Sequence, residues 1–287
     1  MNPIFTAALW MMGAIASFST MAVAGREVAV ELDTFEIMMY RSLFGVLIVV
    51  GVGALAGTLR QINTQNMGLH VVRNLAHFTG QNLWFYAVTV IPLAQVFALE
   101  FTSPLWVIVL SPLILGERLT PMRAFAAIMG FIGILIVARP DIAGINAGVI
   151  TAASSAIFFA LTMMFTKRLT RSQSITCILF YLTAMQLVFG IVMAGYDGDI
   201  AVPSAAALPF VLLIGAAGLL AHFCVTNALA LAPATVVVPI DFIRLPAIAI
   251  IGMLLYDEAL DIWVFAGAAI IFTGNYLNIW SETRAKT

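Results

Sequence analysis

Residues Pro233 to Glu258 read PATVVVPIDFIRLPAIAIIGMLLYDE, and residues Pro92 to Glu117 read PLAQVFALEFTSPLWVIVLSPLILGE. The two stretches are in register. Pro233 follows Pro92 by 141 positions, Asp241 follows Glu100 by 141, and Glu258 follows Glu117 by 141. Each stretch is apolar over the roughly 20 residues that cross a bilayer, yet each carries a carboxylate at the same depth. Each is also interrupted by proline, at Pro104 and Pro112 in one and at Pro239 and Pro246 in the other. Proline removes a backbone donor and clashes with the preceding turn. In lipid the freed carbonyls are tolerated only where protein or a water-filled cavity satisfies them. Paired proline-interrupted spans at matching positions of two halves therefore point to a solute site of a transporter.

The same offset relates most of the chain to itself. Phe18 matches Phe159, Arg26 faces Lys167, Tyr40 matches Tyr181, Ala87 matches Ala228, Phe101 matches Phe242 and Gly133 matches Gly274. Chance matches among Ala, Leu and Val are expected in an apolar chain, so the Pro, Tyr, Gly and Glu matches carry the repeat.

Only 9% of the 287 residues are charged and 62% are hydrophobic, with a mean hydropathy of +1.06. A soluble domain carries roughly 25% charged residues, so this chain reads as an all-α, polytopic membrane protein whose partner is the lipid bilayer. Ten spans are expected, at 3–24, 34–55, 71–90, 93–114, 122–138, 147–166, 174–194, 207–230, 234–255 and 262–280. Five spans per half is an odd number, so 3–138 and 147–280 are expected to be inverted five-helix repeats about an axis in the membrane plane. A channel could share that inverted scaffold, but the paired broken spans favour a transporter. Ala22-Val23-Ala24 imitates a signal-peptidase site, but no Lys or Arg precedes the apolar run, so retention of the first span is expected. No basic run suggests nucleic acid. Cys177 and Cys224 fall inside apolar spans and are read as small core residues, with neither a disulfide nor a metal site implied.

Loop charges set the orientation. One side holds Arg60, Arg73, Arg118, Arg123, Lys167, Arg168, Arg171, Arg284 and Lys286; the other holds Arg26 and Arg139 with an acidic set, Glu27, Glu31, Asp33, Asp197, Asp199, Asp257, Glu258 and Asp261. Both termini are therefore expected to be cytoplasmic, with the chain in a bacterial-type inner membrane.

Arg41 and Arg244 fall inside spans, where a charge needs a partner or a polar cavity. Asp241 precedes Arg244 by three residues and shares its helix face. The pair either lines a cavity that contacts a polar or zwitterionic solute or locks two helices together. Arg41 has no partner at helical spacing, and its bland reading is snorkelling to the outer interface. Glu100 matches Asp241 but has Ser103 where the second half has Arg244. An unpartnered carboxylate in an apolar helix is costly to keep charged. It could exchange a proton during transport, stay protonated as a hydrogen-bond donor, or pair with Arg41.

The third span carries His77, Gln81 and Trp84 at i, i+4 and i+7, one stripe of a helix. His222 matches Gln81 in the eighth span, with Asn227 further along. Such a stripe suits a flat or amphipathic solute; the alternative is interhelical hydrogen bonding with an aromatic belt. Ala126 and Gly130, then Gly267 and Gly274, mark the fifth and tenth spans as closely packed scaffold or a subunit contact. A P-loop, an H-E-x-x-H and a G-x-S-x-G are all absent, so neither nucleotide hydrolysis nor an intramembrane hydrolase is supported.

These features resemble the EamA-type transporters of the drug/metabolite transporter superfamily. The resemblance spans 3–138 and 147–280 and rests on PLILGERL at Pro112–Leu119, GMLLYDEAL at Gly252–Leu260 and PIDFIRLP at Pro239–Pro246. The second ending departs from the first, since Asp257 stands where Gly116 does. The resemblance implies a carrier with a central cavity between its halves and no cofactor. It implies substrates such as riboflavin, S-adenosylmethionine, amino acids or other small metabolites, moved inward or outward. The expected function is secondary transport by alternating access. The candidate contacts are His77, Gln81, Trp84, Glu100, His222, Asn227, Asp241 and Arg244, with Glu100 and Asp241 as proton-coupling groups. The rivals are an efflux carrier and, remotely, a membrane enzyme acting on lipid-linked substrates.

Overall fold

A computed structural model describes residues 3–116, 120–138, 146–258 and 262–284. Glu117, Arg118, Leu119, Arg139, Ala259, Leu260, Asp261 and Lys286 lie outside the described residues, as does the side chain of Pro239. The described secondary structure is helical throughout: α1 (Pro3–Val28), α2 (Thr34–Leu55), α3 (Met67–Val90), α4 (Leu93–Glu100), α5 (Ser103–Ile114), α6 (Pro121–Ala138), α7 (Ala147–Leu169), α8 (Ile175–Ala194), α9 (Leu208–Leu231), α10 (Ala234–Ile240), α11 (Arg244–Tyr256) and α12 (Ile262–Arg284). Polar residues set several starts. Asp33 and Glu36 form a reciprocal capping box at α2, and Asn146 and Ser174 cap α7 and α8 through the Val149 and Cys177 N–H groups.

Among the described residues, seven segments are long and apolar enough to cross a membrane: Pro3–Val28, Thr34–Leu55, Leu93–Ile114, Ala147–Leu169, Ile175–Ala194, Leu208–Leu231 and Val236–Tyr256. The third expected span is a helix of sufficient length, but His70, Arg73, Asn74, His77, Gln81 and Asn82 make it too polar to qualify; all but Asn82 are buried among neighbouring helices. Arg73, expected among the loop cations, is one of these. It sits in the second turn of α3 and bonds Thr166 Oγ1 at 3.1 Å and Asn74 Oδ1 at 2.8 Å.

The two broken spans differ from expectation in where they break. The first is interrupted at Phe101–Thr102, between α4 and α5, and Pro104 occupies the first turn of α5, where a missing N–H costs little. Pro112 lies inside α5 without ending it. Each proline follows a serine that satisfies the carbonyl left free four residues before the ring. The Ser103 hydroxyl donates to the Glu100 carbonyl, and the Ser111 hydroxyl donates to that of Ile108 at 3.4 Å. The second span passes through a 3₁₀ turn at Asp241–Ile243 between α10 and α11. Its end preserves the backbone of the first despite the different residue. Gly116 has φ of 69° and Asp257 has φ of 52°, both left-handed, a region Asp tolerates better than most residues.

α1 packs along α9, α3 along α7, α2 along α8 and α6 along α12. Small residues allow the close crossings. A Cβ at Gly274 would lie 2.9 Å from Met129 Cβ, and one at Gly190 would lie 2.8 Å from the Met39 Cα. Because the obstacle at Gly190 is backbone, Gly190→Ala should destabilise the bundle by about 1–3 kcal/mol. Gly51→Ala, with open space around it, should be neutral or stabilising by up to about 1 kcal/mol. Thermal loss of monodisperse protein in detergent would rank the two, and equal stabilities would contradict the α2–α8 crossing.

Two ends of the bundle are clasped by polar side chains. Glu258 Oε1 pairs with Arg26 Nη1 at 2.6 Å and accepts from the Leu93 N–H, at the start of α4, at 3.2 Å. Lys167 Nζ donates to the Leu229 and Ala232 carbonyls at the end of α9, at 2.5 and 2.8 Å. Both contacts complement the helix dipole they meet. Cys177 and Cys224 are buried and unbridged.

Candidate functional site

The interruption between α4 and α5 and the 3₁₀ turn before α11 bring Glu100, Asp241 and Arg244 together. Arg244 Nη2 is 2.6 Å from Glu100 Oε1 and 2.6 Å from Asp241 Oδ2. Glu100 Oε2 accepts from the Trp84 indole N–H at 2.7 Å. Glu100 is therefore paired, contrary to expectation, and its partner is Arg244 rather than Arg41. The guanidinium carbon of Arg244 also sits 4.8–5.4 Å from the ring centres of Phe18, Phe97 and Phe101, within cation–π range. One cation thus serves two carboxylates and three rings, while Arg244 Nε and Asp241 Oδ1 have no hydrogen-bond partner among the described residues.

These groups open on a cavity bordered by α1, α3, α5, α7, α9 and the second break, with about 600 Å³ of empty space when its open mouth is counted. His77, Gln81, Trp84, Glu100, His222, Asp241 and Arg244 all line it. The His77 and His222 rings stand edge to face with centres 4.5 Å apart. Both His77 nitrogens and His222 Nε2 lack a partner among the described residues. Gln81 accepts from Arg41 Nη1 at 2.6 Å. Arg41 is only 6% exposed: it turns inward to Gln81 instead of snorkelling outward. Asn227 does not belong to this group. Its amide donates to the Phe223 carbonyl one turn back in its own helix at 2.8 Å, which satisfies it locally and keeps it out of the lining.

The cavity also has walls that the polar pattern does not reveal, namely Phe18, Met21, Phe159, Thr162 and Met163. Phe18 and Phe159 are 141 positions apart, so the repeat offset was the available signal. Among the described residues no cluster of three His, Cys, Asp or Glu side chains could hold a metal ion.

A helical bundle that buries a charged, aromatic-walled cavity among bilayer-length apolar segments defines a multi-pass membrane protein for small solutes. The chain belongs to the EamA-like transporter family, whose profile matches residues 5–139 and again residues 146–280. It is 25% identical over 276 residues to an S-adenosylmethionine uptake transporter of Rickettsia felis, covering 96% of this chain and 93% of that protein. It is 33% identical over 220 residues to a riboflavin transporter of Brucella anthropi, covering 74% and 76%. A pseudopaline exporter of Pseudomonas aeruginosa is 27% identical, covering 89% of each. One solved crystal structure, 18% identical, matches 98% of this chain and 99% of its own with a TM-score of 0.77, a likeness of fold alone. Family and relatives alike point to a transporter of small metabolites and not to an enzyme.

Proposed function

We propose that the chain is a secondary transporter that moves a small aromatic metabolite across the bacterial inner membrane by alternating access. In this reading 3–138 and 147–280 are inverted five-span halves, both termini are cytoplasmic, and the halves rock about the cavity between them. The family profile matching twice supports two halves. So does the reciprocal packing, in which the first helix of each half lies against the third long helix of the other, α1 on α9 and α7 on α3.

The observation that carries the proposal is Arg244 shared between Glu100 and Asp241 in an aromatic-walled cavity. With two carboxylates to one guanidinium, the lining carries one negative charge in excess when all three are ionised. A net-positive solute with a flat ring suits that balance. S-adenosylmethionine has this chemistry, with a sulfonium, an ammonium and a carboxylate beside a purine. Its carboxylate would take Arg244, its cationic groups would take Glu100 or Asp241, and its ring would lie against Trp84, Phe18 or Phe159. His77, His222 and Gln81 would meet ring-edge polar atoms. A carboxylate released from Arg244 could accept a proton and so couple transport to the proton gradient.

Riboflavin is the second reading. The unpartnered His77 and His222 nitrogens favour it, because they match the donors and acceptors along a flavin edge.

Counterflow in proteoliposomes separates the two. Labelled S-adenosylmethionine should exchange above empty liposomes and be competed by unlabelled solute. Exchange of riboflavin alone would select the second reading, and exchange of neither would overturn both. For direction, rescue of a solute auxotroph marks uptake, and raised tolerance to the solute marks efflux.

A further inference from the structure

Among the described residues four arginines are buried, Arg41, Arg73, Arg123 and Arg244, and the two carboxylates of the central cavity, Glu100 and Asp241, are both taken by Arg244. Arg41 and Arg73 have no carboxylate within ion-pair distance among the described residues. Their partners are neutral: Gln81 Oε1 and Met38 Sδ for Arg41, Thr166 Oγ1 and Asn74 Oδ1 for Arg73. A charge held in a bilayer interior without a counter-charge is costly and marks a functional position.

Arg41 also lines a second, small void, separate from the central cavity, with Ser42, Gly45, Thr183, Gln186 and Gly215. The void is polar at the guanidinium and apolar at Leu182 and Leu219. Only Nη1 of Arg41 makes a hydrogen bond among the described residues, leaving Nε and Nη2 for a further acceptor. The hydroxyls of Ser42 and Thr183 donate to carbonyls of their own helices and can turn toward an anion instead. Gly218 makes room for the guanidinium, since a Cβ there would lie 2.5 Å from Nε and 2.9 Å from Nη2.

We propose that Arg41, in the void between α2, α8 and α9, binds a small monovalent anion. The void is smaller than the central cavity and meets one guanidinium, so one negative charge matches it. The chemistry fits a free halide and equally the carboxylate of a small solute, and Arg73 on the neighbouring α3 adds to the positive potential that draws either.

The test uses the full chain purified in detergent, with sodium gluconate replaced stepwise by sodium bromide, and separately by sodium formate, at constant ionic strength. Melting temperature should rise by several degrees and saturate, as expected when a ligand binds the native state alone. The rise should vanish in Arg41→Gln. Should that variant fail to fold, Gly218→Ala keeps the charge but pushes the guanidinium aside, and it should weaken the response at least tenfold in midpoint concentration. Crystals soaked in bromide should give an anomalous peak within about 3.5 Å of the guanidinium. A response to bromide alone assigns the site to free halide, and a formate response that bromide competes assigns it to a solute carboxylate. No saturable response to either anion, or one that persists unchanged in both variants, would overturn the proposal. Because no transported solute is involved, this outcome is independent of the counterflow result.

Discussion

Arg244→Leu is expected to abolish solute exchange and to lower the stability of the bundle by about 3–5 kcal/mol, the usual cost of removing one partner from a buried ion pair. The substitution leaves Glu100 and Asp241 without their shared cation and leaves Phe18, Phe97 and Phe101 around an emptied space. Arg244→Lys keeps the charge but lacks the planar fork, so it cannot serve both carboxylates with the same geometry. It should be more stable than the leucine variant and still impaired in transport. The temperature at which half of the protein leaves the monodisperse peak gives the stability ranking, and counterflow gives activity. A leucine variant as stable and as active as the parent would remove Arg244 from both the structural and the transport account.

The second large effect concerns Asp241. Asp241→Asn keeps the shape of the side chain and an oxygen for Arg244 but removes one negative charge. Arg244 and Glu100 are then left as a neutral pair with nothing in excess to attract a cationic solute. Exchange should fall at least roughly tenfold, about 1.4 kcal/mol of interaction, while the protein stays inserted and monodisperse. The two roles open to the Asp241–Arg244 pair diverge here. A pair that only locks helices predicts lost stability with normal transport by the surviving protein; a pair that contacts solute predicts the reverse. Normal exchange by a stable Asp241→Asn protein would therefore exclude the solute role.

Much of this site was legible in the sequence, because a carboxylate or an arginine in an apolar span stands out against its neighbours. The stripe of His77, Gln81 and Trp84 was legible for the same reason, since helical spacing places the three on one face of α3. What spacing could not supply was pairing between helices. Glu100 and Arg244 are 144 residues apart, and Arg41 and Gln81 are 40 apart. No periodicity within one helix encodes such contacts. Asn227 misled because its polarity is spent on its own helix, a choice its amide makes only once the backbone is in place. The proline signal was right about the interruption and wrong about its position, because Ser103 and Ser111 satisfy the freed carbonyls and let α5 run through Pro112. The ten expected spans met a polar α3 whose cost in lipid is offset by burial against α7 and α8.

Glu258, two residues beyond the end of α11, reaches the end of α1 through Arg26 and the start of α4 through the Leu93 N–H. Both contacts end on the same carboxylate oxygen. Loss of that one side chain would therefore undo two contacts between segments at once, one to α1 and one to α4.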